Sequence, residues 1–267
     1  MEPRSTVSPL NELVAPSSWR TVDFISDLHL NADEPATFSA CQAYLQETPA
    51  DAVFILGDLF EVWVGDDAVS TDFQTHPEAG FENRCATVLA ETGSRLALFF
   101  MHGNRDFLIG PAFMDACHAR LLDDPTVLNF AGQRWLLSHG DALCLDDTDY
   151  MAFRQQVRSP GWQQTFLALP LTERQAMARE MRRQSEARKR SGMDYGDVDS
   201  DAARQWLEAA QAPTLIHGHT HKPAWHDLGN GLSRVVLSDW DAGASVPRAE
   251  VLRLDSRGLQ RIALPIP

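Results

Sequence analysis

Five times in this chain a short apolar run stops at a cluster of aspartate, histidine or asparagine, in four of them beside glycine. Val22–Ser26 runs into Asp27-Leu28-His29, and Val53–Leu56 into Gly57-Asp58-Leu59-Phe60-Glu61. Leu96–Met101 runs into His102-Gly103-Asn104-Arg105-Asp106, and Trp135–Ser138 into His139-Gly140-Asp141. Thr214–His217 runs into Gly218-His219-Thr220-His221. Short apolar runs bounded by turn residues read as buried strands. Helical patterns over Ala36–Glu47 and Phe81–Glu91 separate the first three, which predicts an α/β core. In such cores, ligands bind at the carboxyl ends of strands, where the polar clusters fall. A further strand is expected at Arg234–Ser238 and a closing hairpin at Glu250–Leu254 with Gln260–Leu264.

Two stretches depart from this rhythm. Residues 1–20 are polar and broken by prolines, and read as a loose leader without a signal-peptide core. Residues 149–197 contain no strand-like run. Met151, Phe153, Val157, Phe166, Leu167, Leu171, Met177 and Met181 recur there at near-helical spacing, which predicts a helical insertion serving as a lid. From Glu173 to Arg190 this insertion carries seven Arg or Lys against three Glu, in a chain whose formal net charge is −14. That basic run reads either as a solvated face or as an anion-recognition surface, since guanidinium and ammonium groups pair well with phosphate. The overall acidity argues against a general nucleic-acid binder, so no nucleic-acid partner is expected. The four cysteines form no CxxC pair, which points to a reduced compartment without disulfides and against a thiolate zinc site.

The residue types in the five clusters suit a metal centre. Carboxylate, imidazole and amide oxygen together offer the mixed O and N donors that hold Mn²⁺, Fe²⁺ or Zn²⁺. Asp27-x-His29 and His219-x-His221 can each send two donors to one side of an extended segment. One carboxylate must bridge two ions, and Asp58 is the natural candidate. Two such ions clamp a phosphoryl group and activate water, without a serine or cysteine nucleophile. Arg105 or a histidine near the clusters, His217 among them, would assist by absorbing charge or orienting a ligand. Asp106 and Asp141 read as anchors behind the ligands. Neither a Walker segment nor a GxGxxG after a strand is present, so P-loop ATPases and Rossmann dehydrogenases have no support.

Taken as an ordered set, DLH, GDLFE, HGNRDF, SHGD and HGHTHKP resemble the calcineurin-like metallophosphoesterases. GDLFEVWVGDD, HGNRDFL, HGDALC and FLALP are more narrowly similar to the UDP-2,3-diacylglucosamine pyrophosphatases of lipid A (lipopolysaccharide) synthesis in Gram-negative bacteria. The resemblance runs from about Val22 to the C-terminus. It implies an α/β fold in which a β-sandwich is flanked by helices, spanning 21–267 with the lid at 149–197. It implies two Mn²⁺ ions per chain, one held by Asp27, His29, Asp58 and His221 and the other by Asp58, Asn104, His139 and His219. It implies hydrolysis of UDP-2,3-diacylglucosamine at the α-phosphorus, giving UMP and 2,3-diacylglucosamine 1-phosphate (lipid X). Asn104, Arg105, Asp147, Tyr150, Phe153, Phe166, Ser185, Lys189 and His219 fall at the family's substrate-contacting positions. Gly192 stands where the family often has a lysine.

The resemblance gives the lid a physical task. Each buried methylene contributes roughly 0.8 kcal/mol, so an apolar helix face that accepts acyl chains would dominate affinity. A lipid substrate also implies a monomer held peripherally at the cytoplasmic face of the inner membrane. Two rival readings remain: a metallophosphoesterase for a small soluble phosphoester, and a scaffold that kept the fold without catalysis. The first has no use for a long apolar lid. The second is disfavoured by the presence of Asp, Asn or His at all seven ligand positions.

Overall fold

The computed structural model describes residues 10–70, 72–76, 78, 80–190 and 196–266, with the side chains of 182 and 184–190 also left out. Among the described residues, twelve strands form two six-stranded mixed sheets. The first has the order β12 (Gly258–Ala263), β11 (Glu250–Asp255), β2 (Val22–Ile25), β3 (Ala52–Leu56), β4 (Ala97–Met101), β5 (Ala119–Leu122). The second has the order β1 (Asn11–Val14), β6 (Thr126–Phe130), β7 (Gln133–Ser138), β8 (Thr214–His217), β10 (Leu232–Val236), β9 (Ala224–Gly229).

Alternation along the strands divides the apolar side chains among three cores. Phe24, Phe54, Leu56 and Met101 from the first sheet meet Leu128, Leu137, Ile216 and Val235 from the second in the layer between them. The opposite faces of β2, β3 and β4 contribute Ile25, Val53, Ile55 and Phe100, which pack under α1 (Pro35–Glu47), α2 (Phe81–Gly93) and α3 (Pro111–Ala116). Helix α1 buries Thr37, Ala40, Cys41, Tyr44 and Leu45, the i, i+3, i+4, i+7, i+8 pattern of one helical face. Over the outer face of the second sheet, Leu136 and Leu215 pack with Ala203, Leu207 and Ala210 of α7 (Ser200–Ala210). The fold is thus a β-sandwich flanked by helices, as expected.

Two arginines, the partly buried Arg253 and the buried Arg174, fasten peripheral parts to this frame. Asp23 on β2 is fully buried and accepts two bonds from Arg253, at 2.7 and 2.8 Å, with Tyr44 and Thr48 hydroxyls at 2.9 Å each. The helical insertion comprises α4 (Thr148–Val157), α5 (Pro160–Leu167) and α6 (Leu171–Arg190). Arg174 at the start of α6 is only 2% exposed and donates to the Leu169 and Val64 carbonyls and to both oxygens of Asp67. It therefore does not belong to the solvated basic run in which its sequence position places it. The expected leader also changes: Asn11–Val14 pairs in parallel with Thr126–Asn129 as an edge strand. Those four residues are mostly exposed, so no apolar pattern marks them in the sequence.

Candidate metal centre

The parallel pairing of β2, β3 and β4 in one sheet, and of β7 and β8 in the other, sets five strand ends side by side at one edge of the sandwich. The five polar clusters lie just beyond those ends. Asp27, His29, Asp58, His219 and His221 all have positive φ, between 48° and 69°. Non-glycine residues reach this region at a cost of about 1–3 kcal/mol each, and persist in it where the surrounding structure over-determines them. Strain is therefore concentrated at five of the seven candidate ligands.

The donor atoms converge in two groups. In one, His221 Nε2 lies 3.3 Å from Asp27 Oδ1 and 3.2 Å from His29 Nε2. In the other, Asn104 Oδ1 lies 3.1 Å from His139 Nε2 and 2.8 Å from His219 Nδ1. Asp58 stands between them: its Oδ2 is 3.9 Å from His29 Nε2, and its Oδ1 is 3.8 Å from His139 Nε2. Asp27 with His29 and His221, and Asp27 with Asp58 and His139, present ligand atoms within 4.8 Å of one another. All seven sequence-derived ligand candidates are thus brought together.

The surroundings hold these donors in place. The fully buried Asp106 carboxylate accepts the backbone N–H groups of Gly103 (2.9 Å), Leu59 (2.7 Å), Asp58 (3.3 Å) and Phe60 (3.4 Å), which fixes the Asp58 and Asn104 loops to each other. His139 Nδ1 donates to the Leu56 carbonyl at 2.9 Å, which leaves Nε2 as the nitrogen open to a metal. His29 Nδ1 sits 3.1 Å from Glu61, and Glu61 in turn lies 3.7 Å from Arg105. Asp27 receives the Ser26 hydroxyl at 2.5 Å and the His219 N–H at 2.9 Å.

The electrostatics fit divalent cations. Asp27 and Asp58 are 0% and 2% exposed, and among the described residues their ion-pair partners are all histidines. Buried carboxylates demand positive charge close by. Without a cation, histidine protons fill that need. Burial opposes protonation of His139, yet Asp58, Asp141 and Asp27 outweigh it and push its pKa up to about 9. Burial would likewise raise Asp27, but His221, His139 and His29 hold it far below the usual carboxylate range. His219 moves the other way, lowered to about 4 by burial and by the charge on His139. A site with two buried carboxylates, four imidazoles and an amide oxygen is the donor set expected for Mn²⁺, Fe²⁺ or Zn²⁺.

The remaining expected residues are placed as follows. Arg105 is largely buried beside Glu61, and its backbone N–H donates to Asp58 Oδ1 at 2.8 Å. Asp147 caps α4 by accepting the Tyr150 N–H at 3.0 Å. Tyr150 lies against the His219 ring and donates to Asp141 at 2.6 Å. Phe153 is 39% exposed on the lid. Phe166 is buried and stacks on Trp162 at 4.8 Å, so in this conformation it packs into the core and lines no open groove. The side chains of Ser185 and Lys189, and residue Gly192, lie outside the described residues. His217 is fully buried behind the ligand turn, where it bonds to Gly218 and Arg234 and is not among the converging ligand atoms.

Two arginines not singled out from the sequence complete the frame. Asp141, fully buried, accepts from Arg154 at 2.8 Å and from Arg158 at 3.4 Å, and Arg158 also donates to the Gly103 carbonyl at 2.9 Å. These two arginines of the α4 region therefore tie the lid to the His139 and Asn104 segments. The i, i+4 spacing of Arg154 and Arg158 was a signal that they share a helix face, but not that a buried carboxylate meets them.

Residues 20–223 match the family model described as calcineurin-like phosphoesterase. The chain belongs to that family. Among its curated relatives is a protein named UDP-2,3-diacylglucosamine hydrolase from Chromobacterium violaceum, 47% identical over 91% of this chain and 98% of the relative. Proteins of the same name from Ralstonia nicotianae and Xanthomonas campestris pv. campestris are 44% and 42% identical. They cover 87% and 91% of this chain and 88% and 100% of their own lengths. In this metallophosphoesterase chain the five strand-end clusters carry the full set of candidate donors.

Proposed function

We propose that this chain hydrolyses the pyrophosphate of UDP-2,3-diacylglucosamine at the α-phosphorus, with two Mn²⁺ ions, releasing UMP and 2,3-diacylglucosamine 1-phosphate. The observation that carries the two-ion part is the position of Asp58, whose two oxygens face separate groups of imidazoles at 3.9 and 3.8 Å. The substrate part is supported by relatives of that name at 41–47% identity over most of the chain. Divalent cations bound here would supply a polarised phosphoryl oxygen and an activated water.

The chain's own groups do the rest. Asp27, His29 and His221 hold one side of the centre; Asn104, His139 and His219 hold the other. Arg105 is anchored to Asp58 through its backbone N–H, and its guanidinium, 3.7 Å from Glu61, would turn to non-bridging phosphate oxygens beside the centre. Tyr150, fixed by Asp141 and lying against His219, borders the same space. The lid presents Phe153, Leu167 and Met177 at 39–44% exposure, an apolar surface suited to acyl chains.

The same apolar groups on a lid with a basic helix support peripheral binding of a monomer to the cytoplasmic face of the inner membrane. No helix of the described residues is long and apolar enough to cross a membrane. If neither high salt nor detergent changes the fraction that sediments with membranes, that location is wrong.

Turnover of the diacyl substrate compared with UDP-glucosamine lacking acyl chains tests the substrate. Equal kcat/KM for both would overturn the lipid reading and favour a small soluble phosphoester. Reaction in ¹⁸O-labelled water tests the position of attack: label is expected in UMP, and label in the sugar phosphate would overturn it.

A further inference from the structure

His217 is followed at once by the turn that carries His219 and His221, and its ring is held from behind. Its Nε2 lies 3.3 Å from a terminal nitrogen of Arg234, and its Nδ1 lies 2.9 Å from the Gly218 carbonyl. A guanidinium has only donors, so Nε2 must be the acceptor and the proton must sit on Nδ1, where it donates to Gly218. Arg234 is 4% exposed on β10, in register beside the β8 strand that ends in His217. Its other terminal nitrogen donates to Asp197 at 2.8 Å, just where the chain returns from the lid. A continuous path of hydrogen bonds thus runs Asp197, Arg234, His217, Gly218.

Gly218 is a sensitive place for that path to end. A Cβ on it would come within 2.8 Å of Ser26 Cβ and closer still to the Asp27 carboxylate, so the turn packs directly on one candidate ligand. Its carbonyl also accepts the Thr220 N–H at 2.8 Å, and its N–H donates to the His139 carbonyl at 2.9 Å. The following His219 and His221 both hold positive φ. A turn so strained keeps its shape only while its anchors hold.

We propose that Arg234 is a positioning residue for the metal centre: by fixing the tautomer and ring of His217 it locks the Gly218–His221 turn, and through Asp197 it ties that turn to the lid's return. The proposal rests on reading the donor cluster as a metal centre. Partners that orient ligands in this way typically cost about 10–100-fold in metal affinity when removed.

Calorimetric titration of Mn²⁺ into the metal-free full-length protein tests it, with thermal melts run alongside. Arg234→Met should weaken Mn²⁺ binding by about 10–100-fold, and the loss of turnover should be largely recovered at excess Mn²⁺. A folded Arg234→Met protein with wild-type Mn²⁺ affinity overturns the proposal. Should Arg234→Met fail to fold, Asp197→Asn decides, because Asp197 is about half exposed and its loss leaves the buried packing intact. A severalfold weaker Mn²⁺ affinity is then expected, and an unchanged one overturns the proposal. A wild-type protein that binds no Mn²⁺, Fe²⁺ or Zn²⁺ removes the metal-centre reading and this proposal with it. Tight wild-type binding with unchanged variants overturns the proposal alone.

Discussion

Replacing Gly103 with alanine should disable the centre without replacing any candidate ligand. The new Cβ would stand 2.8 Å from Asp58 Cγ, with Oδ1 and the Asp58 backbone nitrogen nearer still. Carbon atoms in contact rest about 3.5–4.0 Å apart, so the carboxylate must retreat by roughly 1 Å. Gly103 itself is poorly placed to yield, because its N–H is held by Asp106 and its carbonyl by Arg158, both at 2.9 Å. Misplacement of about 1 Å at a reacting centre can cost on the order of 10²-fold in rate. Overpacking of this kind destabilises by about 1–3 kcal/mol, a shift of roughly 2–12 °C in Tm. Gly103→Ala is therefore expected to remain folded, lose about two orders of magnitude in kcat on the diacyl substrate at saturating Mn²⁺, and bind less metal by plasma mass spectrometry. Gly161→Ala is the control: a Cβ there meets nothing within 4 Å, and activity should not change. A kcat for Gly103→Ala within threefold of wild type, with full metal content, would refute the reasoning.

Asp58→Ala removes a donor from both halves of the centre; turnover should fall to near background and metal stoichiometry should drop, which retained activity would contradict. Arg253→Met, far from the centre, leaves the buried Asp23 carboxylate without its two guanidinium bonds. It should destabilise by about 3–5 kcal/mol in denaturant melts, while Mn²⁺ affinity of the folded protein stays unchanged.

The strand ends were legible because each apolar run stops abruptly at charged or amide residues, a pattern that packing alone has no reason to repeat. Thr214–His217 forms the strand its apolar run predicts, and α1 and α2 begin within a residue of their predicted starts. Asn11–Val14 was not legible, since a mostly exposed edge strand needs no apolar pattern. Ala119–Leu122 and Thr126–Phe130 lie close together around Pro125, and no alternation separates them in the sequence. Among the site residues, the candidate ligands were visible because their chemistry is local. The residues that hold them were not, since Arg154, Arg158 and Arg234 read as surface charge until the fold sets them against Asp141 and His217. Arg174 illustrates the same limit: nothing in the basic run Glu173–Arg190 distinguishes the one arginine that Asp67 and the Val64 carbonyl bury.

The most direct measurement is anomalous diffraction from crystals grown with Mn²⁺. Two peaks about 3.5–4 Å apart are expected, one on each side of the Asp58 carboxylate, with His29 and His221 against the first and His139 and His219 against the second. A single peak, or two peaks that share no Asp58 oxygen, would contradict the account.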